Sequence, residues 1–256
     1  MFSRAIVRPP GTNYADGLTR FAPGAPDYKR ALRQHGAYCE ALQRCGLELI
    51  HLEADESYPD STFVEDTAVL IPTAAILTLP GADSRMGEVV SIKETLCDLY
   101  PRMASIQEPG RLDGGDVCEA GKHFFIGLSE RTNEAGAWQL SELLTPSGYT
   151  SSFVDIRTLK DILHLKSGLA YLGDNRLVVI EALAKREQFR GYDLVRVNAD
   201  EGYAANCVRV NDYVLVAAGY PMFEQSLRGL GYKTIPLEMT EFQKMDGGLS
   251  CLSLRF

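Results

Sequence analysis

The sequence predicts an α/β fold in which five similar ββαβ-type repeats form a five-bladed, pseudo-symmetric propeller. The same pattern recurs five times: two β-like runs joined by a short polar turn, then an amphipathic helical stretch, then another β-like run. No linker of distinct composition divides the repeats. Because no single repeat of this size can bury a hydrophobic face alone, we expect a ring with one shared core, and hence a single domain over residues 1–256.

Four β-hairpins follow from apolar runs bounded by turn residues. A fifth can form if the C-terminal SLSLRF segment pairs with Arg4–Val7, which would join the two ends of the chain. The four hairpins are residues 67–79, 117–126, 169–180 and 207–217.

An amphipathic stretch follows each hairpin and is predicted to be helical. A further β-like run comes after each helix, clearly so for GLELIHL and GYKTIPL and more weakly for residues 102–106. The predicted helices are residues 84–100, 132–144, 181–189, 222–230 and, for the closing repeat, 27–45. The alternative is a generic α/β or α+β protein whose hairpins resemble one another by chance.

Composition narrows the classes of function. With 45% hydrophobic residues, 23% charged residues and no long apolar run, the chain is expected to be a soluble globular protein. The N-terminus lacks the apolar segment of a secretory signal, so we expect a cytoplasmic location. A net charge of −8 argues against nucleic-acid binding and suits a small cationic ligand. The six cysteines and four histidines show no zinc-site spacing, and no metal is predicted.

A polar segment stands immediately before the first strand of each repeat, and we call these five segments the lead-in segments. In a ring they would converge at one end of the central axis, bringing two acidic segments, a histidine and a cysteine into one pocket. The lead-in segments are FVED (63–66), LDGGD (112–116), LHLKSG (163–168), YAAN (203–206) and DGGLSC (246–251).

These acidic, histidine and cysteine side chains together suit a reaction on a guanidinium group. A cysteine is a nucleophile only as the thiolate, and nearby carboxylates would keep Cys251 a neutral thiol until a cation enters. A bound guanidinium would supply that cation, because carboxylates hold it by bidentate hydrogen bonds beside its own electrophilic carbon. The sequence therefore indicates an enzyme acting on a guanidinium group, with Cys251 as nucleophile and His164 as proton carrier.

Each of these residues also has a structural alternative. Cys251 could be a buried core cysteine and His164 a satisfied core histidine. Asp113 and Asp116 could both stabilise a turn, although we favour a functional Asp113 and a structural Asp116. Glu65 and Asp66 are neighbours that would face opposite ways in an extended strand, so they are not expected to bind one group identically.

Across essentially its whole length the chain resembles the dimethylarginine dimethylaminohydrolases, members of the guanidine-modifying propeller superfamily called penteins. The C-terminal motif and DGLT are similar to those of bacterial members. The motifs that carry the resemblance are DGLTR, PDSTFVED, PGADSR, LDGGDV, GLSERTN, LHLKSGLAYL, YAANC, AGYP and DGGLSCLSLRF.

The resemblance implies a role for each matching residue. Cys251 would be the nucleophile, His164 the general acid and base, and Asp113 the acid that fixes the guanidinium and His164. The implied substrate-binding residues are Leu18 on a mobile lid, Asp60 for the α-amino group, Glu65 and Asp66 at the guanidinium pocket, Arg85 and Arg131 for the α-carboxylate, Met245 before the DGG turn, and Phe63.

The implied reaction is hydrolysis of asymmetric dimethylarginine, and of monomethylarginine, to citrulline and an amine through a covalent thiouronium, without a cofactor. The alternatives are an arginine deiminase acting on free arginine and a non-catalytic pentein that binds a ligand or partner. The deiminases resemble this chain with an added helical insertion, which is absent here. A homodimer is compatible with this interpretation, although the periodicity identifies no interface.

Overall fold

The computed structural model describes residues 1–20 and 24–256. Fifteen strands and five α-helices occur in this part of the chain. The strands are β1 Arg4–Val7, β2 Glu48–His51, β3 Ala68–Ile71, β4 Ala74–Leu77, β5 Met103–Ser105, β6 Val117–Ala120, β7 His123–Leu128, β8 Thr150–Asp155, β9 Leu169–Gly173, β10 Arg176–Ile180, β11 Asp193–Val197, β12 Val208–Val210, β13 Tyr213–Ala217, β14 Lys233–Leu237 and β15 Leu254–Arg255. The helices are α1 Tyr28–Arg44, α2 Val89–Cys97, α3 Glu134–Leu144, α4 Pro221–Gly229 and α5 Thr240–Gln243.

The strands form five three-stranded sheets, one for each predicted repeat. In the sheets β3-β4-β5, β6-β7-β8 and β12-β13-β14 an antiparallel hairpin is extended by a parallel third strand. β9 pairs antiparallel with β10, and β11 lies beside β10. The fifth sheet is closed by β15, which pairs antiparallel with β1. All five predicted hairpins and the α/β-propeller class built from ββαβ-type repeats are confirmed.

The chain divides into two compact units. The first unit comprises Met1–Val64 and Val197–Phe256, and the second comprises Glu65–Arg196. One cluster of buried hydrophobic side chains, around Tyr38, Leu42 and Phe242, lies in the first unit. The second unit contains two such clusters, one around Phe124 and Leu140 and the other around Phe125 and Leu177.

One predicted helix is wrong. Residues 181–189 form successive tight turns, in which backbone N–H groups bond carbonyls three residues earlier, and end in the 3-10 turn Glu187–Phe189. Leu183 and Phe189 are both buried in the same cluster, yet six positions along an α-helix would place them on different faces. Burial of both side chains therefore overrides the helical propensity of the segment.

The other helices begin and end close to their predicted bounds. α1 begins where the Asp27 side chain accepts a hydrogen bond from the Arg30 N–H, and α3 begins where Asn133 caps Gly136 in the same way. The segment before α2 is a 3-10 helix over Asp83–Glu88 rather than α-helix. Among the described residues, no helix is both long enough and apolar enough to cross a membrane.

Candidate active site

The second unit buries the His164 imidazole against a carboxylate. His164 has an extended backbone and directly precedes the 3-10 turn Leu165–Ser167. Its Nε2 lies 3.0 Å from Asp113 Oδ2. Asp113 is held in place because its Oδ1 accepts the Gly81 N–H at 2.8 Å and its own N–H donates to Thr132 Oγ1 at 3.1 Å. The carboxylate that contacts His164 is thus fixed by bonds to two other segments.

The surroundings of His164 favour the charged imidazolium. Burial by itself lowers the pKa of an imidazole, but the carboxylates of Asp66, Asp113 and Asp116 outweigh it and raise the pKa of His164 to about 9. The ring is therefore protonated at neutral pH. A protonated ring held by a carboxylate can donate a proton to a leaving amine.

Asp66 is an ionised carboxylate with two fixed neighbours. Its Oδ2 lies 2.7 Å from Arg85 Nη1, and its Oδ1 accepts the Gly115 N–H at 2.8 Å. Burial raises the pKa of this carboxyl, but the charges of His164 and Arg85 outweigh burial and lower the pKa to about 2. Asp66 can accept further hydrogen bonds, because a carboxylate offers about four lone-pair positions.

Arg85 is buried and forms a double ion pair. Besides Asp66, its guanidinium contacts Glu88, with Nε to Oε1 at 2.9 Å and Nη2 to Oε2 at 2.7 Å. Sequence reasoning missed Glu88 and the pairing with Asp66, although the spacing of three residues between Arg85 and Glu88 in a helical segment was a usable signal. The Arg131 guanidinium makes no ion pair within the described part of the chain, and the residue is partly exposed.

Glu65 and Asp66 lie in the 3-10 turn Val64–Thr67, not in an extended strand as the sequence suggested. Their partners nevertheless differ, because Glu65 Oε1 lies 2.7 Å from Lys166 Nζ whereas Asp66 bonds Arg85. Lys166 was not anticipated as a partner, although it stands two residues after His164 in the same lead-in segment.

The Asp116 carboxylate is bonded to two other segments of the second unit. Its oxygens accept the hydroxyls of Ser129 and Thr132 and the N–H of Leu165 at 2.6, 2.7 and 2.9 Å. Burial raises the pKa of this carboxyl to about 6, despite the opposing effect of His164. These bonds stabilise the turn that follows His164. They agree with the structural role that we favoured for Asp116.

Ligand atoms of Asp66, Asp113 and His164 lie within 4.8 Å of one another, the separation at which three groups could share a metal ion. These atoms already bond Arg85, the Gly115 N–H and each other. A protonated imidazole offers no lone pair to a metal. The donor set therefore fits a proton-transfer site better than a metal site.

Cys251 is buried in the first unit and interacts electrostatically with Tyr14 and Tyr203. Cys251 lies in the 3-10 turn Ser250–Leu252, and its N–H donates to the Gly248 carbonyl at 3.2 Å. Burial raises the pKa values of Tyr14 and Tyr203 well above 10, and electrostatic interaction with Cys251 raises both further. The Tyr203 hydroxyl donates to the Gly247 carbonyl at 2.9 Å and so holds the DGG turn.

The predicted lid residue Leu18 is 41% exposed, and its N–H lies 3.1 and 3.2 Å from the two oxygens of Asp60. The Thr19 hydroxyl donates to the Lys244 carbonyl at 2.9 Å, and the Arg20 N–H donates to Asp246 Oδ2 at 2.7 Å. The segment is therefore joined both to Asp60 and to the residues before the DGG turn.

Phe63 and Met245 are buried in the first unit. The Phe63 ring packs against Tyr14 and Phe242, with ring centroids 6.2 and 6.3 Å apart. Met245 lies beside Gly17, since a Cβ added there would lie 3.2 Å from Met245 Cε. Met245 thus lies next to the segment that carries Leu18, and Phe63 belongs to the aromatic cluster with Tyr14 and Phe242.

Comparison with known proteins identifies close relatives. No family model matches the chain. The N(G),N(G)-dimethylarginine dimethylaminohydrolase of Pseudomonas aeruginosa is 43% identical over 257 residues, covering all of both chains. The chain belongs to the dimethylarginine dimethylaminohydrolase family.

Solved structures of this family share the fold. A cysteine-to-serine mutant of the Pseudomonas aeruginosa enzyme complexed with citrulline matches with a TM-score of 0.97 and 42% identity over all of both chains. A dimethylarginine dimethylaminohydrolase carrying an adduct with S-methyl-L-thiocitrulline matches with a TM-score of 0.96, also over all of both chains. The family resemblance seen in the motifs is thereby confirmed over the whole chain.

Proposed function

We propose that the chain hydrolyses asymmetric dimethylarginine, and monomethylarginine, to citrulline and dimethylamine or methylamine. The observation that carries the proposal is the buried, carboxylate-held imidazolium of His164, in a chain whose close relatives are dimethylarginine dimethylaminohydrolases. A proton donor that is charged at neutral pH suits the expulsion of an amine, because the deprotonated amine is a very poor leaving group. In this proposal residues 1–256 act as one catalytic domain.

The first half of the reaction forms a covalent intermediate. The Cys251 thiolate attacks the guanidinium carbon and forms a C–S bond, giving a tetrahedral species. His164 donates its proton to the dimethylamino nitrogen, the C–N bond breaks, and dimethylamine leaves. A thiouronium attached to Cys251 remains.

The second half consumes water. The now neutral His164 removes a proton from a water molecule, whose oxygen attacks the thiouronium carbon. Collapse of the second tetrahedral species breaks the C–S bond and releases citrulline. His164 keeps the proton taken from water, Cys251 regains its thiolate, and the hydroxyl proton of the tetrahedral species passes to solvent, where it protonates the released amine. The net reaction is substrate cation plus water to citrulline plus alkylammonium, and no cofactor takes part.

Substrate recognition is assigned by charge. We assign the guanidinium to Asp66 and Glu65 with Asp113, the α-amino group to Asp60 and the Leu18 backbone, and apolar lining to Phe63 and Met245. Arg131 and Arg85 remain the proposed partners of the α-carboxylate. Because the Arg85 guanidinium already pairs with Asp66 and Glu88, we give Arg131 the larger share.

The test is a product assay on the full chain. Purified protein is incubated with arginine, monomethylarginine or asymmetric dimethylarginine, and citrulline and the released amine are measured. We expect citrulline with methylamine or dimethylamine. Citrulline and ammonia from free arginine alone would identify a deiminase, and binding without any product would identify a non-catalytic protein.

Two cysteine variants supply the matched comparison. Cys251→Ser should lower kcat by more than about 10³-fold while substrate still binds, because a serine hydroxyl is not ionised here. Cys97→Ser, at the exposed end of α2, should leave kcat unchanged. Substantial turnover by the Cys251→Ser protein would exclude the proposed nucleophile. Light scattering on the same samples tests whether the chain forms a homodimer.

A further inference from the structure

The lead-in segments are joined to one another by a recurring hydrogen bond. In three of them an Asp or Asn side chain near the end of the segment accepts a backbone N–H from the lead-in segment of the following repeat. The three bonds run from Gly115 N to Asp66 Oδ1 at 2.8 Å, from Leu165 N to Asp116 Oδ1 at 2.9 Å, and from Ser250 N to Asn206 Oδ1 at 2.9 Å. The bonded residues are 49, 49 and 44 positions apart.

The three acceptors differ in charge. The two in the second unit, Asp66 and Asp116, are carboxylates, and both favour a protonated His164. The one in the first unit, Asn206, is a neutral amide, and it bonds the residue directly before Cys251. The side chain that accepts this recurring hydrogen bond is thus charged in the unit of His164 and neutral in the unit of Cys251.

Asn206 is buried and fitted closely to the segment that carries Cys251. Its Nδ2 also donates to Ser250 Oγ at 3.1 Å, so both ends of the amide bond one residue. A Cβ added to Gly248 would lie only 2.5 Å from Asn206 Cγ, which means that the Gly248 backbone lies flat against the amide. Cys251 in turn bonds the Gly248 carbonyl. A change in the position of Asn206 would therefore displace Cys251, because Ser250 and Gly248 connect the two residues.

We propose that Asn206 is a positioning residue for Cys251, and that a neutral amide is required at this link. The inference rests on the proposed function only in taking Cys251 as the nucleophile. Misplacement of a nucleophile by about 1 Å can lower a rate by about 10²-fold without weakening substrate binding equally.

The requirement for a neutral group follows from the other side chains around the thiol. Tyr14 and Tyr203 interact electrostatically with Cys251, and Asp60 and Glu241 act on Tyr14. Both phenols are uncharged at neutral pH because burial raises their pKa values well above 10. A carboxylate at position 206 would add a buried negative charge next to the turn of Cys251 and would oppose formation of the thiolate.

The experiment uses three variants of the full chain. Asn206→Ala removes both bonds to Ser250, Ser250→Ala removes only the hydroxyl bond, and Asn206→Asp keeps an acceptor for the Ser250 N–H but adds charge. For each, kcat and KM are measured with asymmetric dimethylarginine. The pH dependence of alkylation of Cys251 by iodoacetamide is measured by mass spectrometry, with the exposed Cys97 as internal reference.

We expect a graded result. Asn206→Ala should lower kcat about 30-fold with KM within about threefold, and change the Cys251 to Cys97 alkylation ratio at least about fivefold. Ser250→Ala should keep kcat within about threefold of the original value. Asn206→Asp should shift the alkylation midpoint of Cys251 upward by about one pH unit, and its kcat should rise above that of Asn206→Ala as the pH approaches 9, below the pH at which His164 loses its proton.

The control is Asn211→Gly. Asn211 also joins backbone segments of the first unit, donating to Phe2 O and Cys45 O at 3.0 and 2.9 Å, and its φ of 53° suits glycine. This variant should lower the melting temperature but keep kcat and the alkylation ratio. If Asn206→Ala behaves like Asn211→Gly, or if Asn206→Asp is as slow as Asn206→Ala at every pH, the proposal is wrong.

Failure of the proposed function would be seen separately. In that case the unmodified protein yields no citrulline from any arginine, whereas the alkylation ratio still reports whether Asn206 positions the thiol. An unchanged ratio in Asn206→Ala overturns the positioning role even if the unmodified protein is fully active.

Discussion

Each compact unit contains a buried histidine, and the pKa values of the two imidazoles are shifted in opposite directions. His164 in the second unit contacts Asp113 and is influenced by Asp66 and Asp116, and its pKa is raised from 6.5 to about 9. His35 in the first unit lies on α1, with Nδ1 3.7 Å from Cys39 Sγ, and its Nε2 has no hydrogen-bond partner among the described residues. Burial lowers the pKa of His35 from 6.5 to about 4.

The difference shows that burial does not by itself make a proton donor. Removal from water favours the neutral imidazole at both positions. Carboxylates reverse this preference only at His164, where the lead-in segments supply them. A buried histidine in a family of this kind therefore becomes a candidate catalyst through its acidic neighbours rather than through its depth in the core.

The largest expected effect is the separation of the two titration midpoints. In ¹³C-histidine NMR, His164 should titrate near pH 9 and His35 near pH 4. Asp113→Asn should lower the midpoint of His164, because one hydrogen-bonded carboxylate is lost. Spectra of His164→Gln and His35→Leu assign the signals. If both midpoints lie within one unit of 6.5, the comparison is wrong.

A smaller effect concerns stability in acid. Folding lowers the pKa of His35, so its contribution to stability is fully present above pH 6.5 and is lost as the pH falls toward 4. His164 behaves oppositely, since its contribution is present below pH 6.5 and is lost as the pH rises through about 9. Between pH 7 and 4 the unmodified protein should lose about 3 kcal/mol more unfolding free energy than His35→Leu.

Urea unfolding at pH 7, 5.5 and 4 measures this difference. His51→Gln removes an exposed charge at the end of β2 that helps to lower the pKa of His35, so it should reduce the loss of unfolding free energy in acid far less than His35→Leu does, because burial is the larger cause. Parallel stability curves for His35→Leu and the unmodified protein would show that His35 takes up its proton as readily in the folded state as in the unfolded chain.

The sequence was sufficient for the repeats but not for every element within them. Hairpins such as β6 and β7 could be predicted because apolar runs on both sides of a Gly-containing turn permit few other pairings. The segment 181–189 could not, because its composition favours a helix while the burial of both Leu183 and Phe189 depends on tertiary packing. Local helix propensity does not show which side chains will be buried by distant parts of the chain.

The candidate active site was likewise predicted only in part. Repeat positions were enough to nominate Cys251, His164 and Asp113, and the structure pairs the last two. The partners of Arg85 and the bond from Ser250 to Asn206 were not predicted, because they depend on side-chain directions in 3-10 turns that the sequence does not reveal. The roles of the substrate-binding residues stay predictions.

The smallest expected effect concerns a third histidine, His123. It tests the effect of burial on an imidazole pKa separately from the effect of neighbouring charges. His123, at the start of β7, is partly buried, and its ring bonds the hydroxyls of Thr150 and Ser152 at 2.8 and 2.9 Å. Burial lowers its pKa, but hydroxyl groups carry no charge that could reverse or greatly enlarge the shift. His123→Gln should therefore change the loss of unfolding free energy between pH 7 and 5 less than His35→Leu does. If this change equals that of His35→Leu, the depth of burial does not set the size of the shift, and the contrast between His35 and His164 needs another cause.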